Sequence, residues 1–261
     1  MKDLKVLYTE KPELQDTVFI EGLPGIGYVG KIAVEYIIKE LKAEKFAKLC
    51  STDFPPQVLI DKNGFIEDMK IEFYFLKGEG NRQKDLIFIT GNTQSVTPEG
   101  QYRLSHEILD FAGNFGVSEI YTLGGLGMKG TVNNPRVYGA VTEEGYISTL
   151  EELGVVIKRE TEGEIVGISG LLLSLGRQRE IPGLCLMGET SGFYIDPEAS
   201  EAVLNVLSKL LNLDIDMANL KEEGKAARQK FEESKTMEQK MMENMGLIKR
   251  EGGDEDIRYI G

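Results

Sequence analysis

Short apolar runs that alternate with helix-like segments restrict this chain to an α/β fold. The runs are "TVFIEG" (17–22), "DLIFITGN" (85–92), "SEIYTLGGLG" (118–127) and "GLCLMGETSG" (183–192). Nearly continuous apolar strands are typical of a sheet that is covered on both faces. Segments with helical periodicity, such as 28–42, lie between the runs. The pattern predicts a three-layer α/β/α sandwich around a mainly parallel or mixed sheet, formed by residues 1–213.

Turn and capping residues place several elements within this pattern. Thr97, followed by Pro98 and Glu99, predicts one helix start, and Asp196 followed by a proline predicts another. Asn63-Gly64 lies between the apolar segments "QVLID" and "KIEFYFLKG", and this arrangement predicts a β-hairpin region.

The chain changes in character after residue 213. From Met217 to about Ile248 there is no proline and charged residues dominate, which predicts a long helix within 214–250 that bends at Gly224. Its heptad pattern is interrupted too often for a coiled coil, so we expect it to lie against the body or a neighbouring subunit. The last segment, 251–261, reads "EGGDEDIRYIG" and is predicted to be a flexible tail with an apolar tip.

Charge and cysteine content exclude several classes of function. Lys and Arg number 30 against 43 Asp and Glu, a formal net charge of −13, and such a surface repels nucleic acid and anionic membranes. With one histidine and no CxxC motif, neither a metal site nor a cofactor is predicted. Cys50 and Cys185 are expected to be reduced thiols, although a disulfide stays open as an alternative. There is no signal-peptide or membrane-spanning run, so we expect a cytoplasmic protein.

The glycines Gly25, Gly27 and Gly30 have the G-x-G-x-x-G spacing of a dinucleotide-binding turn between a strand and a helix. Such a turn needs an acidic residue about 20 positions further along the chain. Asp53 lies 23 residues beyond the last glycine and meets this requirement. Against this, Leu23-Pro24 lengthens the turn and no basic residue lies in it. The sequence favours a structural turn in which glycine permits positive φ and close helix–strand packing, with a ligand loop as the alternative.

No residues are arranged in the sequence as a catalytic set. His106 lies in a predicted helix, and Ser191 lacks the G-x-S-x-G elbow because Glu189 stands two residues before it. Glu189 and Asp196 can pair only if their loop folds back. We therefore predict a protein without catalytic residues.

Three stretches, in the same order, resemble the PAC2 family. They are "GLPGIGYVGKIAVEYII" (22–38), "TLGG" (122–125), and "GLLLSLG" (170–176) followed by "GLCLMGETSGFYIDPEASEAVLNVLSKLL" (183–211). The family contains the proteasome assembly chaperones and their archaeal homologues. The resemblance implies a fold similar to that of the purine nucleoside phosphorylases, without their catalytic residues. It also implies homo-oligomers, such as rings, that bind the α-ring of the 20S proteasome through C-terminal tails.

The C-terminal tail is similar to the docking motif that this resemblance implies, which ends hydrophobic–tyrosine–any residue. The chain ends Ile257, Arg258, Tyr259, Ile260, Gly261, so tyrosine is third from the end and an arginine precedes it. These five residues are the predicted protein-binding site, since a single tyrosine is a common interface anchor. The alternative is that the tip packs back onto its own oligomer.

Taken together, the sequence predicts a non-enzymatic oligomer that binds the 20S proteasome core, or another protein complex, through its tails. A first alternative is a nucleotide- or purine-binding enzyme that uses the loop Gly25–Gly30 and the strand-end loops 91–100 and 122–137. A second alternative is a scaffold with sequestered tails and a different partner.

Overall fold

The computed structural model describes residues 4–79, 84–157, 163–192, 195–220 and 222, and these form a sheet between two layers of helices. The strands are β1 Leu4–Tyr8, β2 Thr17–Glu21, β3 Glu44–Ser51, β4 Val58–Ile60, β5 Ile66–Asp68, β6 Ile71–Leu76, β7 Leu86–Gly91, β8 Val117–Gly127, β9 Val137–Val141 and β10 Gly183–Thr190. The helices are α1 Val29–Glu40, α2 Pro98–Gly113, α3 Ile147–Glu152, α4 Ile168–Gln178 and α5 Pro197–Leu210. The predicted three-layer α/β/α sandwich is confirmed.

The main sheet has eight strands in the order β1-β3-β6-β7-β2-β8-β10-β9. The four central strands β7, β2, β8 and β10 are parallel, whereas the outer pairs are antiparallel. The carboxyl ends of the central strands therefore meet along one side of the sheet, here called the carboxyl edge. Because β3 runs in the same direction as β7, it also ends there.

Successive residues of the central strands point to opposite faces and enter two separate cores. Phe19 packs with α2 and α4 on one face, whereas Val18 and Ile20 pack with α1 and α5 on the other. All five residues of β2 are buried. The strands are apolar throughout, rather than alternating with polar residues, because neither face reaches solvent.

Both predicted helix starts are confirmed in atomic detail. The Thr97 side chain accepts a hydrogen bond from the Gly100 amide at 3.1 Å, and the Asp196 side chain accepts one from the Ala199 amide at 3.0 Å. Each cap is followed by a proline at the first helical position, where no backbone donor is needed.

The predicted hairpin exists, but its second arm is not the expected one. Asn63-Gly64 lies in the turn between β4 and β5, which form a separate two-stranded sheet. The segment "KIEFYFLKG" instead contains β6, which pairs with β3 and β7 in the main sheet. The turn signal was correct, but it could not indicate that the chain turns again before β6.

The glycine-rich segment 122–137 is also more regular than a loop. Strand β8 continues through it to Gly127, and β9 begins at Val137. A Cβ atom on Gly125 would lie 2.4 Å from the carbonyl oxygen of Ile26. Gly125 therefore serves close packing of the strand, and the loop is shorter than the sequence indicated.

The first residues after 213 lie against the sandwich. Ile215, Met217 and Leu220 pack on the core that contains α1 and α5, and the Tyr36 hydroxyl donates to the carbonyl of Asp216 at 2.6 Å. Residues 213–217 are not helical. Almost all of the predicted long helix, and the whole of tail 251–261, lie outside the described residues.

None of the helices in the described ranges combines the length and the apolar character needed to cross a membrane.

Candidate functional site

The carboxyl edge has a topological switch between β2 and β7. The chain leaves β2 for α1 on one face of the sheet and leaves β7 for α2 on the other. The loops 22–28 and 92–97 therefore diverge, and in open α/β sheets the crevice between such loops is where ligands bind. This crevice is the candidate ligand site that the fold provides.

One side chain, Gln94, spans that crevice. Its Nε2 donates to the carbonyl of Pro24 at 2.6 Å, and its Oε1 accepts from the amide of Ile168 at 3.4 Å. Gln94 thus joins the loop after β2, the loop after β7 and the start of α4. Hydrogen bonds that a ligand would use in this position are already made within the chain.

The glycine turn has a demonstrable packing role. A Cβ on Gly30 would lie 2.0 Å from the carbonyl oxygen of Leu123, and a Cβ on Gly22 would lie 2.3 Å from that of Gly30. Gly27 has a positive φ of 64°. Gly25 is extended, with φ −152°, and has open space beside it. Two of the three motif glycines are therefore required by the fold itself.

The turn is also attached to the loop between β10 and α5. The amide of Asp196 donates to the carbonyl of Gly27 at 2.9 Å, and the Thr190 hydroxyl donates to the Asp196 carboxylate at 2.6 Å. A Cβ on Gly27 would approach the Thr190 hydroxyl oxygen to 2.8 Å. The carbonyls of Gly25 and Gly27 therefore have protein partners, since the Tyr28 amide donates to the former and the Asp196 amide to the latter.

Asp53 does not serve the turn. It follows β3, which is separated from β2 by β6 and β7, so three strand spacings of about 4.8 Å lie between them. Its carboxylate is 3.4 Å from Nε of Arg103 instead. In a dinucleotide fold the acidic residue stands on the strand next to the glycine turn, and this topology does not provide that arrangement.

This geometry predicts that nucleotides, nucleosides and phosphate leave the melting temperature unchanged at millimolar concentration. A ligand with a Kd of about 10 μM, added at about 1 mM, would stabilise the fold by about 2.7 kcal/mol and raise Tm by several degrees. Differential scanning fluorimetry checks this, with magnesium chloride alone as the control. A dose-dependent rise would establish a ligand site and favour the enzyme alternative.

Glu21 is a fully buried carboxyl at the end of β2. Its Oε1 accepts from the Leu23 amide at 2.8 Å, and the Ser169 hydroxyl also bonds to the carboxyl. Its Oε2 has no hydrogen-bond partner among the described residues, nor has the hydroxyl of Thr122, which stands opposite it on β8. Burial raises the pKa of Glu21 to about 7, because desolvation outweighs these two hydrogen bonds.

Three of the residues weighed as catalytic candidates have structural partners, and these are Glu189, Asp196 and His106. Arg136 binds Glu189 through its side chain at 2.7 Å and its amide at 3.0 Å, which lowers the pKa of Glu189. Asp196 caps α5, so the two carboxylates do not form a pair. His106 is exposed on α2, with Nδ1 3.2 Å from Nη2 of Arg179. Among the described residues, Glu189, Asp196 and His106 make their hydrogen bonds to partners other than Ser191.

A cavity of about 610 Å³ lies beside the β8–β9 loop, lined by Gly130–Pro135, Ser191, Ile195, Asp196 and Glu198.

Within the ranges that the structure describes, no three or more histidine, cysteine, aspartate or glutamate side chains are grouped closely enough to hold a metal ion.

The structure instead reveals an apolar surface that the sequence did not identify. Ile26, Val96 and Val166 are exposed on loops at the carboxyl edge, and the β4–β5 hairpin exposes five more large apolar side chains. The pattern of these residues indicated strands, but it could not show that no element within the described ranges covers either face of the hairpin. The predicted tail site, Ile257–Gly261, lies outside the described residues and stays a prediction.

Comparisons of the sequence and of the structure with known proteins agree with each other. The sequence model of the PAC2 family matches residues 19–235. The uncharacterized protein MJ1210 of Methanocaldococcus jannaschii is 41% identical over 248 residues, which are 95% of this chain and 93% of that protein. The crystal structure of Pyrococcus furiosus PbaB, an archaeal proteasome activator, has 43% identity and a TM-score of 0.82, covering 90% of this chain and 100% of that one. P. furiosus PbaA, an archaeal homolog of proteasome-assembly chaperone, has 28% identity and a TM-score of 0.73, covering 93% and 99%.

Proposed function

The chain belongs to the PAC2 family, and from that membership we propose that it is a non-enzymatic protein that binds the 20S core of the proteasome. The observation that carries the proposal is the 43% identity to an archaeal proteasome activator over 90% of this chain. The carboxyl edge, where α/β enzymes bind their ligands, also supports the proposal that the protein is not an enzyme. There, the candidate catalytic carboxylates of Glu189 and Asp196 are engaged with structural partners.

The tail is the part of the chain that we assign to proteasome binding. Ile257, Tyr259 and Ile260 follow an acidic, glycine-containing stretch, "EGGDED". Tyrosine is enriched among residues that dominate interface energy, because it buries a large ring and keeps a polar tip. In our proposal Tyr259 enters a pocket on the α-ring, and the flanking isoleucines add apolar contact.

Self-association completes the proposed mechanism. An oligomer presents several tails to a ring that has several pockets, and each further tail then binds within one complex. Such multivalency raises the overall affinity by about 10²–10⁴ when the tail spacing suits the pockets. A tail that binds weakly by itself is therefore sufficient.

Removing Ile257–Gly261 is expected to abolish binding to immobilised 20S core in biolayer interferometry. Tyr259→Ala alone should weaken binding by about 30-fold or more, the equivalent of about 2 kcal/mol at a hot spot.

The matched control is Tyr102→Ala, which makes the same chemical change at an exposed tyrosine on α2 and should bind like the wild type. Equal binding by the full-length and truncated proteins would remove the tail from the mechanism. Absence of binding by the wild type would show that the proteasome is not the partner.

A further inference from the structure

The β4–β5 hairpin is an apolar surface without a covering element among the described residues. Its large apolar side chains are between 39% and 72% exposed, and they are Val58, Leu59, Ile60, Phe65 and Ile66. Its two strands pair only with each other and not with the main sheet. A two-stranded ribbon alone is marginally stable in water, and contiguous exposed apolar residues mark interaction sites.

The hairpin is nevertheless held in a defined shape. At its tip, Oδ1 of Asp61 accepts from the amides of Asn63 and Phe65, both at 2.8 Å. At its base, Asn92 donates to the carbonyl of Asp68 at 3.1 Å and accepts from the amide of Lys70 at 2.9 Å. The base of the ribbon is therefore fixed against Asn92, the residue that follows β7. Because the surface is preformed, it loses little conformational entropy on binding.

The register of the hairpin gives its two faces different characters. Ile60 pairs with Ile66 and Val58 pairs with Asp68, so the three β-branched residues share one face. Because alternate residues point to opposite sides, Leu59 lies on the other face with its partner Glu67, and Phe65 is on that same side. The Val58/Ile60/Ile66 face is thus a small apolar ridge.

The two ends of this ridge have opposite charge. Lys62 is in the turn at the tip, and Asp68 is at the base on the ridge face. Both are exposed, and within the described ranges neither side chain has an ion-pair partner. Two ridges packed antiparallel would place each Lys62 beside the other copy's Asp68, whereas a parallel arrangement would place like charges together.

We propose that this hairpin is a self-association surface, on which the Val58/Ile60/Ile66 ridges of two copies pack antiparallel about a two-fold axis. The apolar ridge is complementary to itself, and the tip and base charges select the orientation. The inference rests on the self-association in the proposed function but not on proteasome binding. Its readout, the oligomeric state, contains no proteasome.

The first test is sedimentation velocity of the full chain at micromolar concentration. The wild type should sediment as an oligomer, and Ile60→Asp/Ile66→Asp should weaken self-association by at least 100-fold. Both side chains are exposed, so circular dichroism and Tm should stay at wild-type values. Val166→Asp is the matched control, because Val166 is also exposed but lies outside the hairpin. A monomeric wild type, or equal sedimentation of wild type and double variant, would overturn the proposal.

The second test addresses orientation by exchanging charges. Lys62→Glu and Asp68→Lys should each weaken association by about 10-fold, and the double variant should restore it. Restoration is specific to contact between two copies of the same hairpin. Loss without restoration would overturn the antiparallel arrangement. Unchanged sedimentation of the ridge variant, with loss of 20S binding, would identify another protein as the occupant and also overturn the proposal.

Discussion

Gly30→Ala is expected to prevent the chain from forming a stable sandwich. The new Cβ would lie 2.0 Å from the carbonyl oxygen of Leu123 and 2.6 Å from its carbonyl carbon. Both are backbone atoms of β8 in the middle of the sheet, so α1 would have to move away from the strand. Overpacking against a side chain usually costs about 1–3 kcal/mol, and a backbone obstacle raises the expected cost to about 4 kcal/mol or more. This is a large part of a typical total stability of about 5–15 kcal/mol.

Urea denaturation followed by circular dichroism measures this loss. Gly113→Ala is the matched control, because Gly113 ends α2, has a helical backbone and has nothing within 4 Å of its added Cβ. That change should be neutral or stabilise by about 0.5 kcal/mol, since alanine is the better helix former. An unfolding free energy for Gly30→Ala within about 1 kcal/mol of the wild type would show that the close helix–strand contact is dispensable.

Stability is expected to fall as pH rises from about 5 to 8 because of Glu21. Burial raises the pKa of this carboxyl from 4.5 to about 7 in the folded chain. A raised folded pKa means that the folded state binds the proton more tightly than the unfolded state. The stabilisation is complete below the unfolded pKa and is lost as pH rises through the folded one. The difference corresponds to about 3 kcal/mol by pH 8.

Glu21→Gln should remove most of that slope, because glutamine is neutral at every pH in the window. The comparison is the urea unfolding free energy of both proteins at intervals from pH 5 to 8. Glu67→Gln, at an exposed position on β5, is the control that should keep the wild-type slope. If the Glu21→Gln variant kept the full pH dependence of the unfolding free energy, that dependence would come from another group. The carboxyls of Glu119 and Glu189 have lowered pKa values and therefore do not titrate between pH 5 and 8.

Local signals predicted the layers and the helix starts of this fold. Thr97 and Asp196 cap their helices through contacts three residues away, so a short window of sequence contains the whole interaction. The central strands were recognisable because burial on both faces leaves an uninterrupted apolar run. Strands β1 and β9 lie at the edges of the sheet and were missed, because Lys5 interrupts the apolar residues of β1 and Gly139 those of β9.

Contacts between distant segments explain what the sequence could not provide. The glycine spacing at Gly25–Gly30 is the same in a ligand loop and in a packing turn. Gly30 is required because of Leu123, which is 93 positions further along the chain. Asp53 had a suitable sequence distance, but the strand order places β6 and β7 between it and the turn. Glu21 was not singled out from the sequence, although a carboxylate in the apolar run "TVFIEG", on the same strand face as Phe19, is the signal that could have identified it.

The position of β2 has a consequence for synthesis of the chain on the ribosome. Residues 17–21 are wholly buried, yet their partners are β7 and β8, so the last of them is complete only at Gly127. At about 5–20 residues per second, the apolar segment waits roughly 5–20 s before both neighbours have been made. Both edges of β2 are without a partner until β7 is complete at Gly91, and the edge that pairs with β8 stays without one until Gly127. We therefore expect a general holdase chaperone that covers this segment to raise the yield of folded protein.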